Sequence, residues 1–137
     1  MERQIVIDAE NSVVGRLSSF AAKKALEGNQ IIVLNSEKAI FVGKPKDILE
    51  KYLKRFRLGH GVQKGPLYPR KPEMILRRAI RGMIGRKKTK GRNAFKRVKC
   101  FVGIPEKYKN AEKISVAKKR VLNFITLREL SKLIKQK

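Results

Sequence analysis

Gln4-Ile-Val-Ile-Asp8, the run Val14-Gly-Arg-Leu-Ser-Ser-Phe-Ala-Ala-Lys-Lys-Ala-Leu-Glu27, and Ile31-Ile-Val-Leu34 are the stretch that decides the fold. The first and last pieces are short, continuous apolar runs rich in β-branched residues. That pattern predicts two strands, the first of them buried on both faces. Between them Val14, Leu17, Ala21 and Ala25 recur at helical spacing, beside Phe20 and Leu26, and Gly28 is a natural stop. A strand, a helix and a strand within about 30 residues make a βαβ unit, which implies parallel strands and a right-handed crossover.

Outward from that unit, Ala39–Val42 is a third, shorter apolar run. A second helix is expected over Pro45–Leu58, with Pro45 in its first turn and Ile48, Leu49, Tyr52, Leu53 and Phe56 on its apolar face. Gly59–Lys71 is rich in glycine and proline, lacks periodicity, and reads as an exposed loop. A third helix fits Pro72–Ile84: Ile75, Leu76, Ala79, Ile80 and Met83 point inward, and Arg77, Arg78 and Arg81 share the outer face. Residues 85–97 read as a basic loop followed by one or two helical turns. Val98–Val102 reads as a strand, and Thr126-Leu-Arg-Glu129 as a capping box opening a last short helix that ends near Lys135. The expected class is therefore α/β. It is a single domain over 1–137, with a small, mainly parallel sheet flanked by helices in three α/β/α layers. The core spans about 1–108, and 109–137 is a basic C-terminal extension carrying the short helix.

Charge is divided by one boundary. Residues 1–43 hold five Lys/Arg and five Asp/Glu, whereas the rest holds 30 Lys/Arg and 6 Asp/Glu and so carries the whole net charge of +24. A neutral apolar third is joined to a strongly cationic remainder, a pattern that points to an ordinary core with a polyanion-binding surface built around it. Two intervals contain no acid at all. Lys51 to Pro72 holds Lys51, Lys54, Arg55, Arg57, Lys64, Arg70 and Lys71, together with the only histidine, His60. Met74 to Pro105 holds Arg77, Arg78, Arg81, Arg86, Lys87, Lys88, Lys90, Arg92, Lys96, Arg97 and Lys99. Solvated surface charge explains isolated bases. Eighteen bases in two acid-free runs repel one another enough to require an anionic partner, and arginine's planar fork suits phosphate. Among the rings, Tyr52, Phe56 and Phe101 hold apolar positions. Tyr68 and Tyr108 lie in loop segments and are the candidates for stacking on unpaired bases.

Other classes fall away. No apolar run approaches the roughly 20 residues that span a bilayer. The start, Met-Glu-Arg-Gln, is not that of a signal peptide. One histidine and one cysteine make no metal cluster, Val42-Gly43-Lys44-Pro45 lacks P-loop spacing, and no Gly-x-Gly-x-x-Gly occurs. Asp8 at a strand end reads as a turn acceptor, and Cys100, alternating with Val98 and Val102, as a small buried apolar residue. No enzyme, metal, cofactor, membrane or small-molecule substrate is expected, and a lone cysteine fits a reducing, cytoplasmic setting.

Several segments resemble the large-subunit ribosomal protein thirteen family. They are Asp8 with Gly15-Arg16-Leu17, Val33-Leu34-Asn35, Gly43-Lys44, Pro72-Glu-Met-Ile-Leu-Arg-Arg-Ala-Ile-Arg-Gly-Met-Ile84, Gly91-Arg92 and Val98-Lys-Cys-Phe-Val-Gly-Ile-Pro105. The likeness covers about residues 4–108, and Gly65-Pro66 and the C-terminal segments look most like archaeal members. It implies a parallel α/β fold, a place in the large ribosomal subunit of the cytoplasmic ribosome, and contact with ribosomal RNA and neighbouring ribosomal proteins. It also implies that Arg78, Arg81, Arg86, Lys87, Lys88 and Arg92 face RNA. The chain departs from the family at one point: Gly85 stands where proline is usual. Two other readings keep a place beside this one. One is a general nucleic-acid-binding or DNA-compacting protein. The other is an RNA-modifying enzyme with a cofactor pocket near Asp8 and Asn35.

Overall fold

A computed structural model describes residues 3–58, 68–116 and 123–135, with only the backbone of 56–58 and 135. β1 (Gln4–Asp8) and β2 (Gln30–Leu34) flank α1 (Val14–Leu26), and the two strands pair in parallel with Gln4 opposite Gln30 and Asp8 opposite Leu34. β3 (Ile40–Val42) follows, then α2 (Pro45–Leu58), α3 (Pro72–Ile84), α4 (Thr89–Lys96), β4 (Val98–Cys100), β5 (Ile114–Ser115), β6 (Phe124–Thr126) and α5 (Leu127–Lys135). The main sheet has the order β4-β2-β1-β5 and is parallel throughout. Strand β3 does not join it. It pairs antiparallel with β6, Ile40 opposite Thr126.

Period-2 alternation sorts the main sheet's residues onto two faces. Ile7, Ile31, Val33 and Val98 face the larger core, against Leu17, Ala21 and Ala25 of α1 and Leu76 and Ile80 of α3. Alanines at 21, 22 and 25 leave room for α3 to approach α1 closely. Val6, Ile32 and Leu34 face the other way and are covered by Phe101, Tyr108 and Ala111. This second cover is thinner than a layer of α-helix. It is a loop and a one-turn 3-10 helix at Glu106–Tyr108, held down where β2 ends. Asn35 N–H donates to the Gly103 carbonyl at 3.0 Å and Ser36 N–H to the Phe101 carbonyl at 3.1 Å. The buried Glu37 carboxylate accepts the Gly103 N–H at 3.0 Å.

The chain beyond Tyr108 takes part in the body of the fold. β5 adds to β1, and Ile125, Leu127, Leu130 and Ile134 lie in the larger core. Half of the capping box forms, the Thr126 hydroxyl accepting the Glu129 N–H at 3.2 Å. Asp8 behaves as a turn acceptor, its Oδ1 taking the Glu10 N–H and the Asn35 side-chain amide, both at 3.0 Å.

Cys100 packs against the larger core, and burial of its sulfur pushes the thiol up to about 12. An unfolded thiol ionises near 9. Between those values the unfolded state holds fewer protons than the folded one, so stability falls as pH rises. Urea midpoints at pH 8 and pH 10.5 should show wild type losing about 2 kcal/mol more than Cys100→Ala across that interval. Equal losses in the two proteins would contradict the assigned burial.

Candidate nucleic-acid interface

Six of the sequence-predicted cations, Arg55, Arg77, Arg78, Arg81, Arg86 and Arg92, are brought together along α2, α3, α4 and the turn between the last two. The segment Tyr68–Lys71 runs into α3 and is anchored by α5, whose Ser131 hydroxyl donates to the Arg70 carbonyl at 2.6 Å. Lys71 is the extended residue before α3, and Pro72 starts the helix without a missing bond.

Rings and guanidinium groups alternate across this face. Phe41 meets Tyr52 with ring centroids 5.5 Å apart. The Arg55 guanidinium lies 5.3 Å from the centre of Tyr52 and 5.7 Å from that of Tyr68. Arg78 lies 4.1 Å over Tyr68, and Arg77 4.0 Å over Phe95 of α4. Such stacks fix the direction of cations that would otherwise sample many rotamers. Arg77 is held further: its Nε donates to the Val98 carbonyl at 3.3 Å, tying α3 to β4. The expectation of a fully outward Arg77 is therefore corrected, because a strand carbonyl and an aromatic ring lie within its reach. Arg97 likewise turns inward, its Nη1 donating to the Ala25 carbonyl at the end of α1 at 3.0 Å, where a cation also suits the helix dipole.

Arg81 lies at the centre of the remaining charge. Its pKa is lowered, first by partial burial and then by the facing Arg86 and Arg78 cations. An anion placed there relieves that repulsion. Lys54, Arg70, Lys71, Arg86, Lys87, Lys88, Lys90 and Arg92 are exposed. The side chain of Arg57, and all of His60 and Lys64, lie outside the described residues.

Glycine shapes the α3–α4 corner. Gly85 caps α3 at φ 77°, a left-handed conformation that proline cannot adopt. A Cβ on Gly91 would stand only 2.1 Å from the Gly85 carbonyl oxygen, so Gly91 is what lets α4 close against the corner. Of the two candidate stackers, Tyr68 is part of the ladder. Tyr108 is not available: it is 6% exposed and packs on Phe101. A residue in a nominal loop is buried here because the loop itself covers a sheet face.

Two clefts open beside α3 and α4. The first, about 320 Å³, is lined by Tyr68, Pro69, Met74, Arg77, Arg78, Arg81 and Phe95. The second, about 340 Å³, is lined by Arg86, Thr89, Arg92, Asn93, Phe95 and Lys96. Phe95 and Met74 were not singled out as binding residues from sequence. An aromatic residue every few positions among bases was the available signal for Phe95, and Met74 gave none. Among the described residues no cluster of His, Cys, Asp and Glu is arranged to hold a metal ion, and no helix is long and apolar enough to cross a membrane.

Fold and surface together define an α/β protein with a polycationic, ring-studded face. The chain belongs to the ribosomal protein L13 family, whose model matches residues 2–107. It is similar to the large ribosomal subunit protein uL13 of Methanopyrus kandleri, 44% identical and covering 95% of this chain and 86% of that protein. The protein of the same name from Methanococcus maripaludis is 42% identical, with 95% and 96% covered. That of Methanocaldococcus jannaschii is 44% identical, with 93% and 94% covered.

Proposed function

We propose that the protein is a structural constituent of the large subunit of the cytoplasmic ribosome, where it binds ribosomal RNA and supports subunit assembly. Its partners are that RNA and the ribosomal proteins beside it, and its role is not catalytic. The observation that carries this reading is the ordered ladder of rings and cations on α2, α3 and α4 in a chain of net charge +24. The contact set comprises Lys54, Arg55, Arg57, His60, Lys64, Arg70, Lys71, Arg77, Arg78, Arg81, Arg86, Lys87, Lys88, Lys90 and Arg92. Within it, Arg77 acts in part by holding Phe95 in place. Residues 1–137 act as one domain.

Phosphate contacts release counterions, so binding depends steeply on salt. With about ten phosphates neutralised, log K should fall against log salt with a slope of roughly −7 to −9. Filter binding to large-subunit RNA over a salt series checks the slope. Sedimentation of cell lysate through sucrose at moderate and then high salt checks the assignment: the protein is expected with the large subunit at both. Recovery at the top of the gradient at both salts, with equal affinity for duplex DNA, would instead favour a general nucleic-acid-binding protein.

A further inference from the structure

We infer that the cleft between Tyr68, Met74 and Phe95 is a slot for a single unpaired RNA base. This rests on the RNA-binding reading and adds to it the form of RNA that the site takes.

The cleft's lining is unlike that of a phosphate site. Tyr68, Pro69, Met74 and Phe95 contribute flat or apolar surface, and Arg77, Arg78 and Arg81 contribute guanidinium groups. Phosphate alone has no use for the apolar part. A nucleobase has a π-face for the rings and guanidinium planes and polar edges for the arginine N–H groups. The volume of about 320 Å³ suits one planar group and leaves no room for a helix. Two of the three arginines are already stacked, at 4.0 and 4.1 Å, and Arg77 is pinned to Val98, so the walls are set before binding. Met74 is 42% exposed, an uncovered apolar side chain in a cationic setting. Phe95 also lines the neighbouring cleft with Arg86, Arg92 and Lys96, which gives the phosphates flanking an inserted base a cationic path. Stacked bases of a paired helix cannot enter such a concave site, so the occupant is a bulged or loop nucleotide.

The test uses the full chain and two RNA hairpins alike except that one carries a single bulged 2-aminopurine. At the same salt, the bulged hairpin is expected to bind about tenfold tighter, and its fluorescence should fall as the base stacks. Met74→Trp, which fills the cleft, should bring the bulged hairpin to the affinity of the paired one. Val102→Trp, the same bulk placed on an exposed residue outside the cleft, should keep the preference, and a wild-type melting curve for Met74→Trp tells occlusion apart from a general loss of fold. Equal, steeply salt-dependent binding of both hairpins by wild type overturns the base slot and leaves the RNA-binding reading standing. A preference that survives Met74→Trp also overturns the slot. Failure to bind either hairpin overturns the slot, and the RNA-binding reading falls with it only if large-subunit RNA is also not bound in the same assay.

Discussion

Arg81→Glu combined with Arg86→Glu should weaken binding to large-subunit RNA by a hundredfold or more at physiological salt, with no loss of thermal stability. Each lost phosphate contact flattens the salt slope by about 0.7–0.9, so the double variant should flatten it by roughly 1.4 to 1.8. The two new carboxylates then repel the RNA as well. The isolated protein should not suffer, because Arg81 and Arg86 already repel one another, a repulsion that, after partial burial, helps to lower the pKa of Arg81. Arg86 is exposed, and neither residue lies among the buried residues of the core. Filter binding across a salt series, with melting curves beside it, separates the two effects. Unchanged affinity would remove these residues from the interface. A lowered melting temperature of several degrees would show that they support the fold.

Gly91→Ala should cost about 2–3 kcal/mol, a fall of roughly 8–12 °C in melting temperature, although it adds one methyl group. Alanine normally favours a helix over glycine. Here the new Cβ would sit 2.1 Å from the Gly85 carbonyl oxygen and 2.7 Å from its carbon, both backbone atoms that cannot rotate away. Helix α4 must lift, and Phe95 moves from beneath Arg77 with it. RNA affinity should fall along with stability. Gly82→Ala is the internal control. It lies inside α3, and a Cβ there meets nothing within 4 Å, so it should be neutral or stabilising by up to about 1 kcal/mol. Thermal melts of the two variants side by side decide the matter. Equal behaviour would mean that the α3–α4 corner is not closed as described.

Which features were legible in the sequence follows from the range of the interactions that determine them. β1, α2 and α3 begin and end where the apolar spacing and the prolines place them. Those signals act within a few residues of where they are read. The cationic face was legible too, because a charge run without acids needs no partner elsewhere in the chain to be recognised. Individual roles within it were less so. Arg77, Arg78 and Arg81 are equivalent in helical spacing, yet Arg77 is bound to Val98, 21 residues along, and Arg78 lies over Tyr68.

By itself, then, the sequence determined a βαβ-based α/β protein with a neutral core and a basic surface. Periodicity, helix punctuation and net charge are local or additive properties. Only the tertiary structure decided that β3 pairs with β6 rather than with its neighbours in the chain, and that β4 lies beside β2. It also decided that Tyr108 is buried and that Tyr68, Met74 and Phe95 meet around one cleft. Each of these depends on contacts between residues far apart in the chain. Such contacts form because strand edges must be paired and apolar faces covered, and no short window of sequence states which distant segment will do so.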